Sequence, residues 1–242
     1  MAQYGLSVLI PAYNEIGNIA ALLEIVQAAL PGVSKELIIV DDGSTDGTRE
    51  WLAHRFGGVG DSEAAAVKVI FHDRNKGKGA ALKTAMAAAT GDVIIVQDAD
   101  LEYDPADWQQ MYDLIARRKV ADVVYGSRFY GRPHRSLYFH HYLANRLISV
   151  LFNILFNQTL TDIEVCYKMF TREVAQSLNL TSADFGVEVQ IGAQIALRRR
   201  WRIYELAISY YGRTYDEGKK ITWKDGVKAL VYLIKYRLKP GN

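Results

Sequence analysis

The sequence predicts an α/β protein built on a mostly parallel sheet, and three observations carry that reading. Short, mainly apolar runs occupy residues 6–10, 37–40, 67–71 and 93–96, the pattern of strands buried on both faces. Stretches with helical periodicity separate them, as βαβ units require. Acidic residues gather where two of the runs end, at Asp41-Asp42 and at Asp98-Ala99-Asp100. Ligands of open parallel sheets bind outside the carboxyl ends of the strands, so those clusters are also the first functional signal.

The elements follow in order. The first run ends at Pro11. Ile19, Leu22, Leu23, Val26 and Leu30 then recur at helical spacing until Pro31-Gly32 stops the helix. The second run ends at Asp41-Asp42-Gly43-Ser44, and Thr45 or Asp46 can cap a helix through Leu52. Residues 57–63 read as a loop before the third run. The alanine-rich stretch 80–89 is a strong helix entered through glycines, and the fourth run leads directly into Gln97-Asp98-Ala99-Asp100. Beyond Arg118 the pattern changes: 122–125 is strand-like, 143–156 and 187–197 are helical, 203–211 alternates like a strand, and 223–238 is a basic amphipathic helix. There is no internal repeat, low-complexity tract or interdomain linker, so 1–242 reads as one domain.

At 242 residues such a domain can bury a core without disulfides or structural metal. The single cysteine, Cys166, excludes an intrachain disulfide and reads as a small buried residue in a reducing compartment. The first strand starts too near Met1 to leave room for a signal peptide, and no apolar run reaches the ~20 residues that span a bilayer. The expectation is a cytoplasmic protein, at most peripheral to a membrane. Its net charge of +2 is unevenly spread: from Arg198 to Asn242 twelve basic residues face four acidic ones, so the tail carries +8 and the remainder −6. A basic tail on an acidic body suits an anionic partner: phosphate, nucleic acid or membrane. The tail carries no nucleic-acid-binding motif, so nucleic acid is not expected.

Asp98 and Asp100 place like charges in a confined position at a strand end, which a cation or proton must compensate. Carboxylates with substrate phosphates are the ligands that Mg²⁺ or Mn²⁺ prefers, and Glu102 can complete such a set. A solvated acidic turn is the plainer alternative. At the other strand ends, Asp42 suits a nucleobase N–H edge or ribose hydroxyls, and Tyr13 offers a stacking face. Asn75-Lys76-Gly77-Lys78-Gly79 opens a helix whose N-terminus attracts phosphate, though the spacing is neither a Walker loop nor GxGxxG.

VLIPAYNE, IIVDDGSTDGT, the Asn-x-Gly helix entry, GDVIIVQDADLEYDP and GSR occur in that order along the chain. Together they resemble the family 2 glycosyltransferases of the GT-A fold, and within them the soluble polyprenyl-phosphate sugar transferases of the dolichol-phosphate mannose synthase type. The resemblance implies a Rossmann-like central sheet, with 1–125 as the nucleotide-sugar half and 126–242 as an acceptor half ending in interfacial helices. It places Pro11, Tyr13, Glu15, Asp42, Lys78, Asp98, Ala99 and Asp100 against the nucleotide sugar. Asp98, Asp100 and Glu102 are placed on Mg²⁺ or Mn²⁺. Arg128 and Arg135 fall near an acceptor phosphate, and Arg213 and Lys220 lie in a loop over the diphosphate. Asp100, Arg128 and Arg213 are the residues it implies for catalysis. The acidic motif that many family members carry in the C-terminal half is not evident, with Glu164 and Glu188 as candidates only.

The activity so implied is a metal-dependent, inverting hexosyltransferase of the EC 2.4.1 kind. It would move a hexose from a donor of the GDP-mannose or UDP-glucose type to dolichyl or undecaprenyl phosphate at the cytoplasmic face of a membrane. A lipid phosphate, with a second pKa near ~6, is already an anionic nucleophile at neutral pH and needs no base. Arg128, Arg132, Arg135 and Arg213 suit its neutralisation by charge-assisted contacts. Two alternatives stand beside it: transfer to a sugar hydroxyl of a cell-envelope glycan, and a non-catalytic membrane-surface protein of the same fold. Oligomeric state is not legible in the sequence.

Overall fold

A computed structural model describes residues 4–56, 66–129, 131, 133–136, 138–214, 216–217 and 223–239. The four apolar runs become β1 (Leu6–Ala12), β2 (Lys35–Asp41), β3 (Ala66–Phe71) and β4 (Val93–Val96). β1 pairs in parallel with β2 on one side and β4 on the other, and β3 adds in parallel outside β2. The chain thus winds outward from β1 to β3, then crosses back to place β4 on β1's free edge. That reversal opens a crevice at the carboxyl ends of β1 and β4.

The later half supplies β5 (Val123–Ser127), β6 (Lys168–Thr171) and β7 (Ile203–Ala207). Among the described residues the sheet has seven strands in the order β3-β2-β1-β4-β6-β5-β7. β6 runs antiparallel to both β4 and β5, and β7 is parallel to β5. The α/β, mostly parallel expectation holds. β6 itself escapes sequence reading because it is four residues long and begins on a lysine.

The helices are α1 (Ile19–Ala28), α2 (Thr48–Phe56), α3 (Lys78–Ala88), α4 (Trp108–Tyr112), α5 (Phe139–Phe156), α6 (Arg172–Ser177), α7 (Val187–Arg198) and α8 (Trp223–Leu238). α1 turns Ile19, Leu22, Leu23 and Val26 onto the sheet, each such burial being worth about 1.5–3 kcal/mol. The Asp46 carboxylate accepts from the Thr48 amide at 3.0 Å, which fixes the entry to α2. α5 begins four residues before its predicted start, since His140 and His141 break the apolar pattern without breaking the helix. The strand expected over 203–211 ends at Ala207. There the chain turns as the Ser209 amide donates to Asp107 at 2.6 Å, and Tyr210 makes only isolated bridges to Tyr103 and His134.

Gly77 precedes α3 with φ +94, and a Cβ placed on it would lie 2.3 Å from the Ala183 carbonyl oxygen. Gly77→Ala therefore combines left-handed strain with a backbone collision. It is expected to cost at least about 2 kcal/mol, read as a lowered midpoint of urea denaturation with an unchanged slope.

Candidate active site

At the carboxyl ends of β1 and β4 the structure has a cavity of ≈ 1300 Å³, lined by Pro11, Tyr13, Glu15, Asp42, Lys78, Asp98, Ala99, Asp100, Glu102, Arg128, Arg135 and Arg213 among others. Residues scattered over two hundred positions thus share one space. Lys220 lies outside the described residues, as does Arg132.

The β1 and β2 loops are pinned to each other. The Asn14 amide donates to Ser44 Oγ at 3.0 Å, and the Thr45 amide to Asn14 Oδ1 at 2.9 Å. The Glu15 amide donates to Thr48 Oγ1 at 3.0 Å, which aims the glutamate side chain into the cleft. Tyr13 is left half-exposed on the cavity wall. Asp42 faces the same cavity, but its carboxylate accepts from the Lys76 and Gly77 amides at 2.9 and 2.7 Å and bonds His72 Nδ1 at 2.6 Å. Much of its hydrogen-bonding capacity holds the α3 entry in place.

The acidic turn divides its partners. Asp98 meets Lys78 Nζ at 2.8 Å, and the same ammonium lies 3.1 Å from Glu188 on α7. Glu188 in turn pairs with the fully buried Lys168 of β6. Burial works against the charge on Lys78, yet Asp98 and Glu188 keep it firmly protonated. On the other side Arg213 is gripped by three carboxylates: Asp100 at 3.1 Å, Glu102 at 3.3 Å and Glu15 at 3.5 Å. Tyr210 donates to Glu102 at 2.8 Å. The Asp100 carboxyl is nevertheless pushed up to about 7, by burial first and then by Asp98 and Glu102, with Arg213 pulling the other way. One arginine does not balance this cluster.

Among the described residues no group of three His, Cys, Asp or Glu side chains forms a ready-made metal site. Mg²⁺ is commonly held by one or two carboxylates together with substrate phosphates. Burial and then the charges of Asp98 and Glu102 raise Asp100, and a cation arriving with a diphosphate would relieve that crowding, so the residues fit one.

Arg128 follows β5 and forms a two-pronged pair with the buried Asp162, at 2.6 and 2.7 Å. It packs against the rings of Phe129 and Tyr210. Two of its five N–H groups are thereby committed, and the other three have no hydrogen-bond acceptor among the described residues. Arg135 pairs with Glu217 at 2.6 Å near the mouth. Cys166 is buried, as expected, on the cavity wall. α5 and α8 add apolar lining, with Phe139, Tyr142, Leu147 and Ile148 from α5 and Val227 and Leu230 from α8, beside the polar His140, His141, Asn145 and Lys228.

Sequence reasoning named Glu188 only as a candidate and passed over Asp162 and Lys168. A lysine inside an apolar run was the available signal for Lys168, because a buried charge demands a partner. Nothing local marks Asp162, whose role depends on an arginine 34 positions earlier.

The model of glycosyl transferase family 2 matches residues 7–178. The chain belongs to that family. Its curated relatives include a dolichol-phosphate mannosyltransferase of Pyrococcus furiosus, 35% identical over 51% of this chain and 33% of that protein. Another is the glycosyltransferase AglJ of Haloferax volcanii, 28% identical over 85% of this chain and 63% of that one. A third is a dodecaprenyl-phosphate galacturonate synthase of Rhizobium johnstonii, 37% identical over 51% and 36%. The matched stretch is thus under two thirds of the length of each. A glucosyl-3-phosphoglycerate synthase of Mycobacterium tuberculosis, solved with Mn²⁺, UDP and phosphoglyceric acid, superposes with a TM-score of 0.73 at 20% identity, over 97% of this chain and 79% of its own. That likeness establishes the fold, GT-A.

Proposed function

We propose that the protein transfers a hexose from a nucleotide sugar to a polyprenyl phosphate, with inversion at the anomeric carbon. One observation carries this: a single cavity joins the acidic, lysine-bearing donor end to Arg128 and then to the apolar walls of α5 and α8. Polar diphosphate, anionic acceptor head and hydrocarbon tail each meet a matching lining along one path. The relatives named for polyprenyl- or dolichol-phosphate substrates support the same acceptor class.

In this reading the half 1–125 holds the donor and 126–242 the acceptor, with Arg213 crossing between them. Tyr13 and Glu15 bound the nucleotide end. Asp98, Asp100 and Glu102 would hold Mg²⁺ or Mn²⁺, which supplies charge neutralisation of the diphosphate when bound. Lys78 fixes Asp98, and Arg213 exchanges its carboxylates for the departing diphosphate, with Lys220 assigned to the same loop. Arg128 uses its remaining N–H groups to orient the acceptor phosphate for in-line attack, and Arg135 stands nearer the mouth.

The outer surface suits a membrane. α5 exposes Phe139, Leu143, Leu147, Val150 and Ile154, and α8 exposes Val227, Val231, Ile234 and Leu238, of which Phe139, Leu147 and Val227 also line the cavity. The residues of each set recur every three or four positions, so each forms one stripe. α8 packs inward through Ala229, Leu233 and Tyr236 instead, so its outward stripe is spare apolar surface flanked by Lys228, Lys235 and Arg237. Among the described residues no helix is long and apolar enough to cross a bilayer. We therefore place the protein peripherally, with those stripes in the interface, on the cytoplasmic face, in keeping with its lone unpaired cysteine.

The test offers radiolabelled UDP- and GDP-sugars to undecaprenyl or dolichyl phosphate and to soluble sugars, with Mn²⁺, with Mg²⁺ and with EDTA. Organic-extractable label that EDTA abolishes is the expected result. Label confined to soluble sugars would reject the lipid acceptor.

A further inference from the structure

Glu164 lies in the loop before β6 and lines the cavity that holds Arg128. Other carboxyls of that cavity are occupied: Asp98 and Glu188 by Lys78, Glu15, Asp100 and Glu102 by Arg213, and Asp42 by backbone amides. Glu164 has no hydrogen bond or ion pair to any described residue. Arg128, the cation whose charge it feels most strongly, is already committed to Asp162.

Resting on the lipid-phosphate reading above, we infer that Glu164 contacts the acceptor phosphate and does so as the neutral acid, donating its proton to a phosphate oxygen. The physical reason is charge. A carboxylate placed beside a phosphate dianion, with no ion-pair partner of its own among the described residues, would repel the ligand it faces. The neutral acid instead adds a donor that Arg128 alone does not supply. The carboxyl is already pushed up to about 7 without ligand, chiefly by burial. Asp162 and Glu188 add to the rise, while Arg128 and Lys168 oppose it. Arg146 of α5 is turned to the Thr161 carbonyl oxygen of the same loop, and Cys166 flanks it.

The bookkeeping of protons closes. The bond formed joins a phosphate oxygen to the anomeric carbon, and the bond broken joins that carbon to the donor diphosphate. An acceptor entering as the monoanion must lose its proton, because the diester product does not keep it at neutral pH. Glu164 takes that proton if it entered ionised, and returns it to water after product leaves. An acceptor entering as the dianion meets Glu164 already protonated.

The measurement is acceptor KM against pH from 6.5 to 8.5, for wild type and Glu164→Gln, with donor KM followed in parallel. In wild type, acceptor KM is expected to rise about tenfold across the upper part of that range, as Glu164 ionises beside the phosphate. In Glu164→Gln, which keeps a neutral donor, the rise is expected to shrink to less than about threefold, so the variant binds acceptor more tightly than wild type at pH 8.5. Donor KM stays unchanged in both.

Equal pH profiles in the two proteins would overturn the role of Glu164 while leaving lipid-phosphate transfer intact. Wild-type activity confined to hydroxyl acceptors, abolished at every pH in Glu164→Gln, would overturn both and make Glu164 a base. Should the variant fail to fold, a wild-type acceptor KM that is flat across the range overturns the inference without it.

Discussion

Replacing Asp100 with alanine is expected to lower sugar transfer by about a thousandfold. In the proposed reading the Asp98–Asp100 turn meets the diphosphate charge, and a metal held there would supply several kcal/mol of stabilisation. At roughly 1.36 kcal/mol per factor of ten, three orders of magnitude correspond to about 4 kcal/mol. The same substitution leaves the fold intact, because among the described residues Asp100 bonds only the Glu102 amide, at 3.2 Å, and Arg213. Arg213 keeps Glu15 and Glu102, and a crowded cluster of like charges loses one member. Thermal unfolding should therefore be unmoved or slightly raised while transfer collapses. Turnover within tenfold of wild type, measured with saturating donor and Mn²⁺, would remove Asp100 from the chemistry.

Arg128→Met is expected to act on stability and transfer together. Asp162 is fully buried and its two oxygens face the Arg128 guanidinium. Losing that partner leaves an uncompensated interior charge, at a cost of about 3–5 kcal/mol. Chemical denaturation reads that loss directly. Pairing the change with Asp162→Asn separates the two roles: the double variant should recover most of the stability and none of the transfer to lipid phosphate, since the acceptor still lacks its cation. Recovery of transfer along with stability would mean that Arg128 serves only to neutralise Asp162. Arg128→Lys tests geometry at constant charge, and should fall between the two because an ammonium cannot match the two-pronged pair.

The fate of individual residues shows how far local pattern reaches. Asp98 and Asp100 could be read from the chain because a buried strand ends beside them, and a strand's end is a local feature. Asp42 stands at such an end too, yet much of its carboxylate capacity is taken by the amides of residues 76 and 77, a choice made by how the α3 entry folds back on β2. The family resemblance implies Arg213 as a cation over the diphosphate. That it rests among Glu15, Asp100 and Glu102 follows only from the return of the chain past Tyr210.

By itself the sequence determined the parallel half of the sheet, the acidic turn at its carboxyl edge, the family resemblance and the helical, amphipathic character of the tail. Those properties follow from short-range periodicity and from motifs whose residues are neighbours in the chain. Tertiary structure alone decided that β6 inserts antiparallel between β4 and β5, that Lys168, Glu188, Lys78 and Asp98 form one line of charge, that Asp162 claims Arg128, and that Glu164 lines the cavity without a partner among the described residues. Each depends on which distant group desolvates or neutralises a charge. That is settled by packing across the sheet, and no window along the chain contains it.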